Sequence, residues 1–159
     1  LLGASKQASP STKWKRTPYT LSMYADDGES GPTSALHEAA RQGEDNVSRA
    51  LMVAGADPNQ LDGDSQSPLH VAAKTGHDVV VDNLILKGAN LEAKTLRWEK
   101  TPLHLAAQFG HVLCVSALFL GGAENNSLDK FGRTPLSCAV ENGHLKAAEE
   151  LMALQVPTL

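Results

Sequence analysis

The chain has 159 residues, 42% hydrophobic but only 4% aromatic, with a formal net charge of −4. That suits one domain with an aliphatic, alanine-rich core. It argues against a nucleic-acid groove, which needs clustered Lys and Arg, and no apolar run approaches the ~18 residues of a membrane span.

Residues 1–32 read as an extended N-terminal tail. Ser, Thr, Pro and Gly punctuate it, and "PYTLSMY" alternates Tyr19, Leu21 and Met23 with polar residues, the period of an extended segment. Lys6, Lys13, Lys15 and Arg16 stand against Asp26, Asp27 and Glu29, a net of +1 over the first 33 residues; the rest carries ten basic and fifteen acidic residues, a net of −5. Lys13, Trp14, Lys15 and Arg16 form a basic and aromatic cluster suited to a partner or a membrane surface. Fixing a backbone costs roughly 1–2 kcal/mol per residue, so such a tail orders only against a surface, its own body or a partner's. The chain begins with Leu1 rather than Met, which suits a fragment or a processed product whose targeting peptide is gone.

From residue 33 to 159 the chain repeats. "TSALHEAARQGEDNVSRALMVAGADPN", "QSPLHVAAKTGHDVVVDNLILKGANLE", "KTPLHLAAQFGHVLCVSALFLGGAENN" and "RTPLSCAVENGHLKAAEELMALQVP" align, giving units over about 33–62, 63–95, 96–128 and 129–159. Pro68, Pro102 and Pro135 are spaced 34 and 33, and Gly55, Gly88 and Gly122 33 and 34. In each unit a Ser or Thr caps a helix, and in the last three Pro stands at its first position, where a missing N–H costs nothing. Gly43, Gly76, Gly110 or Gly143 stops that helix; a second apolar helix follows, then a polar loop. One such pair cannot bury its faces alone, so the units stack.

All six histidines fall into two columns of this register: His37, His70 and His104, then His77, His111 and His144. The cluster His104, His111 and Cys114 therefore reads as architecture rather than as a metal or nucleophile site. No phosphate-cradling glycine loop, carboxylate pair or Cys–His dyad escapes the repeat, so no catalytic residue, metal or cofactor is expected. Cys114 and Cys138 lack framework spacing, which favours a reducing intracellular compartment: cytoplasm or nucleus, or an organelle after targeting.

"KTPLHLAAQFGH" and "GADPN" resemble the ankyrin repeat, a unit of about 33 residues with a T-P-L-H signature, over about residues 33–156. The resemblance implies an all-α solenoid of stacked helix-turn-helix units with β-hairpin-like fingers. It further implies a non-enzymatic protein-interaction module that binds through finger tips and the concave face of the inner helices. It assigns His37, His70 and His104 to bonds with the cap hydroxyl and neighbouring backbone, and His77, His111 and His144 to the start of the second helix.

Departures from the pattern mark the candidate site. The first unit has Ala35 for Pro and Glu44 for the second His; the fourth has Ser137 for the first. Atypical terminal units are expected, and no fifth is read. The third-unit finger, Glu92 to Thr101, is one residue longer than Asn59 to Ser67 or Asn126 to Thr134. Its Asp and Gly positions are read as Leu96 and Glu99, and Trp98 shares a column with Phe131 and Asp64. Leu96, Trp98, Phe109 and Phe131 are expected to form an apolar stripe, with Gln108 beside it and Arg97, Lys100, Lys130 and Arg133 at a basic rim. Aromatics edged by arginine are the composition of an interface hot spot. The expected partner is a protein segment carrying Asp or Glu beside apolar residues. The alternative use is as a stably incorporated accessory subunit of a larger, possibly organellar, complex, anchored partly by the tail.

Overall fold

The computed structural model describes residues 34–155, so the tail, with Lys13, Trp14, Lys15 and Arg16, lies outside the described residues. Eight helices follow in order: α1 Ala35–Gln42, α2 Asp45–Val53, α3 Pro68–Thr75, α4 Asp78–Leu86, α5 Pro102–Gln108, α6 Val112–Leu120, α7 Pro135–Glu141 and α8 Leu145–Gln155. Each odd-numbered helix packs on the even one after it and on the next odd one, so the inner helices α1, α3, α5 and α7 form one layer and α2, α4, α6 and α8 a second. This is the expected all-α solenoid. The fingers carry no regular strand among the described residues, because their short tips spend backbone N–H groups on side-chain oxygens instead.

The core is aliphatic, as the composition requires. Leu36, Leu69 and Leu103 occupy one column of the inner helices, and Leu84, Leu118 and Leu151 one of the outer helices, all essentially inaccessible. Ala72, Ala73, Ala106 and Ala107 are fully buried; side chains this small let neighbouring helices approach closely. No aromatic ring is buried among the described residues.

The cap histidines bind unit to unit. Ser34, Ser67 and Thr101 cap α1, α3 and α5, each accepting the N–H of the histidine three residues on. The imidazole returns the bond: Nδ1 of His37, His70 and His104 accepts the cap residue's N–H at 3.3, 3.0 and 3.2 Å. A nitrogen that accepts an N–H carries no proton, so the proton is on Nε2. From there it is donated to the carbonyls of Gln66, Lys100 and Arg133 at 2.7, 2.9 and 2.8 Å, each one residue before the next cap. Ser137 takes this position in α7 and makes only local bonds, its N–H to Thr134 Oγ1 at 3.2 Å and its Oγ accepting from Thr134 Oγ1 at 3.3 Å.

The second column ties the units at the other end of the inner helices. His77 Nε2 meets the Arg41 carbonyl at 3.1 Å and His111 Nε2 the Lys74 carbonyl at 3.0 Å. The ring lies flat on the glycine that ends the earlier helix. At Gly76, whose φ is +87°, a Cβ would come within 2.6 Å of His111 Nδ1, so glycine is demanded by both conformation and space.

Burial holds all three cap imidazoles below the ordinary histidine pKa; at His70 it outweighs the carbonyls that favour the charged ring and leaves the pKa at about 4. The unfolded chain binds these protons near pH 6.5, so the folded state is fully favoured above that pH and loses stability as pH falls toward 4. His70 alone is expected to remove on the order of 3 kcal/mol by pH 4, from the difference between 6.5 and about 4. Urea unfolding at pH 7, 5 and 4 measures this. His104→Gln should lower stability at pH 7 by about 1–2 kcal/mol and flatten the acid dependence; unchanged acid sensitivity would show that other groups drive it.

Candidate interaction surface

The loops leaving α2, α4 and α6 form the second-, third- and fourth-unit fingers. In the second, Asp62 N–H donates to the Gln66 carbonyl at 2.9 Å, and Asp62 Oδ1 accepts the N–H groups of Asp64 and Gln66. The fourth repeats this: Asp129 N–H to the Arg133 carbonyl at 3.0 Å, and Oδ1 accepting from Phe131 and Arg133. In the third the pair is Thr95 N–H to the Lys100 carbonyl at 3.0 Å, with Thr95 Oγ1 accepting only from Lys100. Thr95, not Leu96, therefore stands in the Asp position. Counting back from the cap misplaced it because the extra residue sits in the tip, where Leu96-Arg97-Trp98 replaces Gly63-Asp64 and Lys130-Phe131. Glu99 does take the glycine position, with φ +54° against +76° at Gly132.

Main-chain bonds zip the fingers together: Leu96 N–H to the Asp64 carbonyl, and Lys130 N–H to the Trp98 carbonyl, both 2.9 Å. The second brings Trp98 and Phe131 into contact, ring centroids 5.6 Å apart and tilted by 33°. With Phe109, just past α5, they line an open concave hollow of about 620 Å³ whose walls include Lys74, Gln108, Arg133 and Glu141. Trp98, Phe109 and Phe131 are 43%, 39% and 57% exposed. Lys74 Nζ stands 5.9 Å from the Phe109 centroid, and the Arg133 guanidinium 5.0 Å from that of Phe131. Gln108 Oε1, a buried acceptor, has no donor among the described residues. A smaller hollow of about 190 Å³, lined by Asp64, Lys74, Thr95, Arg97 and Trp98 among others, shares Lys74 and Trp98 with the larger one.

Of the nine residues expected at the surface, Trp98, Lys100, Gln108, Phe109, Phe131 and Arg133 line the larger hollow, and Arg97 lines the smaller one together with Trp98 and Lys100. Leu96 and Lys130 are exposed but line neither. Lys100 is not a rim cation. It is buried, its carbonyl held by His70, and its ammonium lies 3.2 Å from Asp129 Oδ2 and 3.6 Å from Cys138 Sγ. Arg133 is shared as well, 3.1 Å from Asp129 and 2.8 Å from Glu141. The unpaired positive charge at the surface thus comes from Arg97, Lys130 and Lys74, which have no carboxylate within salt-bridge distance among the described residues.

Burial alone would raise the pKa of Asp129, but the N–H groups of Arg133 and Phe131 and the Lys100 ammonium hold it down at about 2. Lys100 and Asp129 are a structural pair joining the third and fourth fingers. The sequence reading missed Asp129 and also Leu105, which lines both hollows; for Asp129 the matching aspartates at 62 and 129 were the available signal. Cys114 and Cys138 are buried free thiols, and burial pushes Cys114 up to about 12. Among the described residues no group of three or more His, Cys, Asp or Glu is placed to hold a metal ion, and no helix is long and apolar enough to cross a membrane.

Paired helices stacked in two layers, tied by buried cap histidines and carrying projecting fingers, define an α-solenoid of the interaction-module class. The family model for ankyrin repeats, in three copies, matches residues 36–127 and again 80–157, and the chain belongs to the ankyrin repeat family. Members of that family are generally protein–protein interaction modules and typically not enzymes. No curated protein matches the chain.

Lys100→Met is expected to lower stability by roughly 1–3 kcal/mol, less than a fully orphaned buried charge because Arg133 and two N–H groups remain on Asp129. The depressed Asp129 pKa stabilises the fold above pH ~4 and ceases to do so as pH falls toward 2; without Lys100 that pKa is less depressed, so the variant should lose less between pH 7 and 3 than the wild type does. Urea titrations at pH 7 and 3 read both effects; wild-type stability would return Lys100 to the rim.

Proposed function

We propose that this chain binds an extended protein segment across the third- and fourth-unit fingers. Apolar side chains of the segment enter the hollow walled by Trp98, Phe109 and Phe131, and its Asp or Glu residues face Arg97, Lys130 and Lys74. One observation carries the reading. The described residues include four aromatic side chains; three of them line a single hollow and none is used in the core. Folding gains little from them there. The Trp98–Phe131 contact contributes ~1 kcal/mol, half-exposed as both rings are. A tryptophan seated against a partner is commonly worth 2 kcal/mol or more by truncation. The buried thiols of Cys114 and Cys138 suit work in a reducing compartment.

A random peptide library displayed on phage, selected on the full chain, tests this. Enriched peptides should carry one or more large apolar residues flanked by Asp or Glu. Trp98→Ala should weaken the best of them by more than ~2 kcal/mol and lower unfolding stability by less than ~1. Unchanged peptide affinity with a large loss of stability would make Trp98 a staple between fingers and move the surface elsewhere.

A further inference from the structure

Resting on the reading of that hollow, we propose that its resident occupant is the chain's own segment 18–29, "PYTLSMYADDGE", which an external partner must displace. The chemistry the hollow asks for is apolar side chains followed by carboxylates. In this segment Tyr19, Leu21 and Met23 alternate, so an extended backbone puts them on one side, about 7 Å apart. Asp26, Asp27 and Glu29 follow at once. They complement Arg97, Lys130 and Lys74, which have no carboxylate within salt-bridge distance among the described residues.

The tether is long enough. The repeats begin at Ser34, the cap of α1, while Trp98 stands just before α5, two inner helices further along the layer. Neighbouring helix axes lie about 8–10 Å apart, so the distance along the layer is roughly 20 Å. Residues 24–33, drawn out, reach about 33–36 Å. Tyr19, Leu21 and Met23 lie beyond this tether as the part seated in the hollow, and Asp26, Asp27 and Glu29 lie along the tether itself, where it passes the basic side chains. A hollow occupied this way is self-masked: external affinity is scaled by the fraction of molecules in which the tail is out.

The chain has two tryptophans, so Trp14→Phe leaves Trp98 as the sole reporter. In that full-length protein Trp98 emission is expected to be blue-shifted and protected from acrylamide. In the same protein carrying L21S and M23S, emission should move to the red and quenching should rise. A phage-selected acidic–apolar peptide should bind the second protein about tenfold more tightly, as for a hollow nine-tenths closed. A synthetic peptide of residues 17–30 added to the second protein should restore the blue shift. Far-UV circular dichroism of both proteins checks that the repeats are intact, the substitutions lying outside them. Equal emission, equal quenching and equal peptide affinity in the two proteins would overturn the proposal. If the selected peptide still shifts Trp98 emission in that case, the hollow remains a binding surface without a resident tail; if no peptide shifts it, the hollow reading falls too.

Discussion

The structure depends on a buried imidazole that answers two backbone groups at once. A unit of about 33 residues is too small to hold a core of its own, so its stability lies in its interfaces. Each cap histidine is fully buried, and an unsatisfied ring nitrogen there would cost as much as the packing gains. The cap N–H on Nδ1 fixes the tautomer, and the tautomer sends the Nε2 proton to a carbonyl of the following unit. The bond thus has a direction along the chain. That direction accounts for Ser137: among the described residues no further unit follows α7 and α8 to offer a carbonyl, and a small hydroxyl meets the remaining local need.

The carbonyls so held belong to Gln66, Lys100 and Arg133, the residues where each finger returns to the helix layer. Fixing that point fixes the finger. The tips then stand close enough for main-chain bonds between them, and these put Trp98 beside Phe131. Lys100 and Asp129 repeat the connection with side chains. A buried pair of this kind adds little net stability, since desolvation offsets much of the attraction, but it penalises any register in which one partner lacks the other. The aliphatic core completes the division of labour. Alanines bring the inner helices together, no ring is needed inside, and Phe109 is left facing outward at the end of α5.

The repeating part of this molecule was legible because repetition is visible: cap, proline, histidine and glycine return at intervals of 33 and 34. Column membership alone placed the histidines and the rings at 98 and 131. The third finger was less legible, since a loop has no period and an inserted residue can sit anywhere between two fixed points. Counting from the cap put it before Leu96. The backbone puts it within the tip, because Thr95 keeps the bond to the residue before the cap. Lys100 was misread for a different reason. A lysine in a polar loop is ordinarily solvated, and what buries this one is a carboxylate twenty-nine residues further on, together with a carbonyl held by a histidine thirty residues back.

The insertion leaves Trp98 in its column while displacing its neighbours. The tip keeps both inter-finger bonds, to Asp64 on one side and from Lys130 on the other, so the extra length is absorbed at Leu96 and Arg97, while Glu99 keeps the left-handed backbone that Ser65 and Gly132 have in the neighbouring fingers. A non-glycine residue there costs ~1 kcal/mol, which the chain retains in a finger whose ring faces solvent. The electrostatics of the body sharpen the point. Its net charge is negative, so an acidic segment is repelled at long range and attracted only within a few ångströms of Arg97, Lys130 and Lys74. A tethered segment of the kind proposed escapes that penalty through its effective concentration, millimolar for a short flexible link. On that proposal an external partner has to outcompete the tethered segment, which favours partners that seat more apolar area than Tyr19, Leu21 and Met23 can.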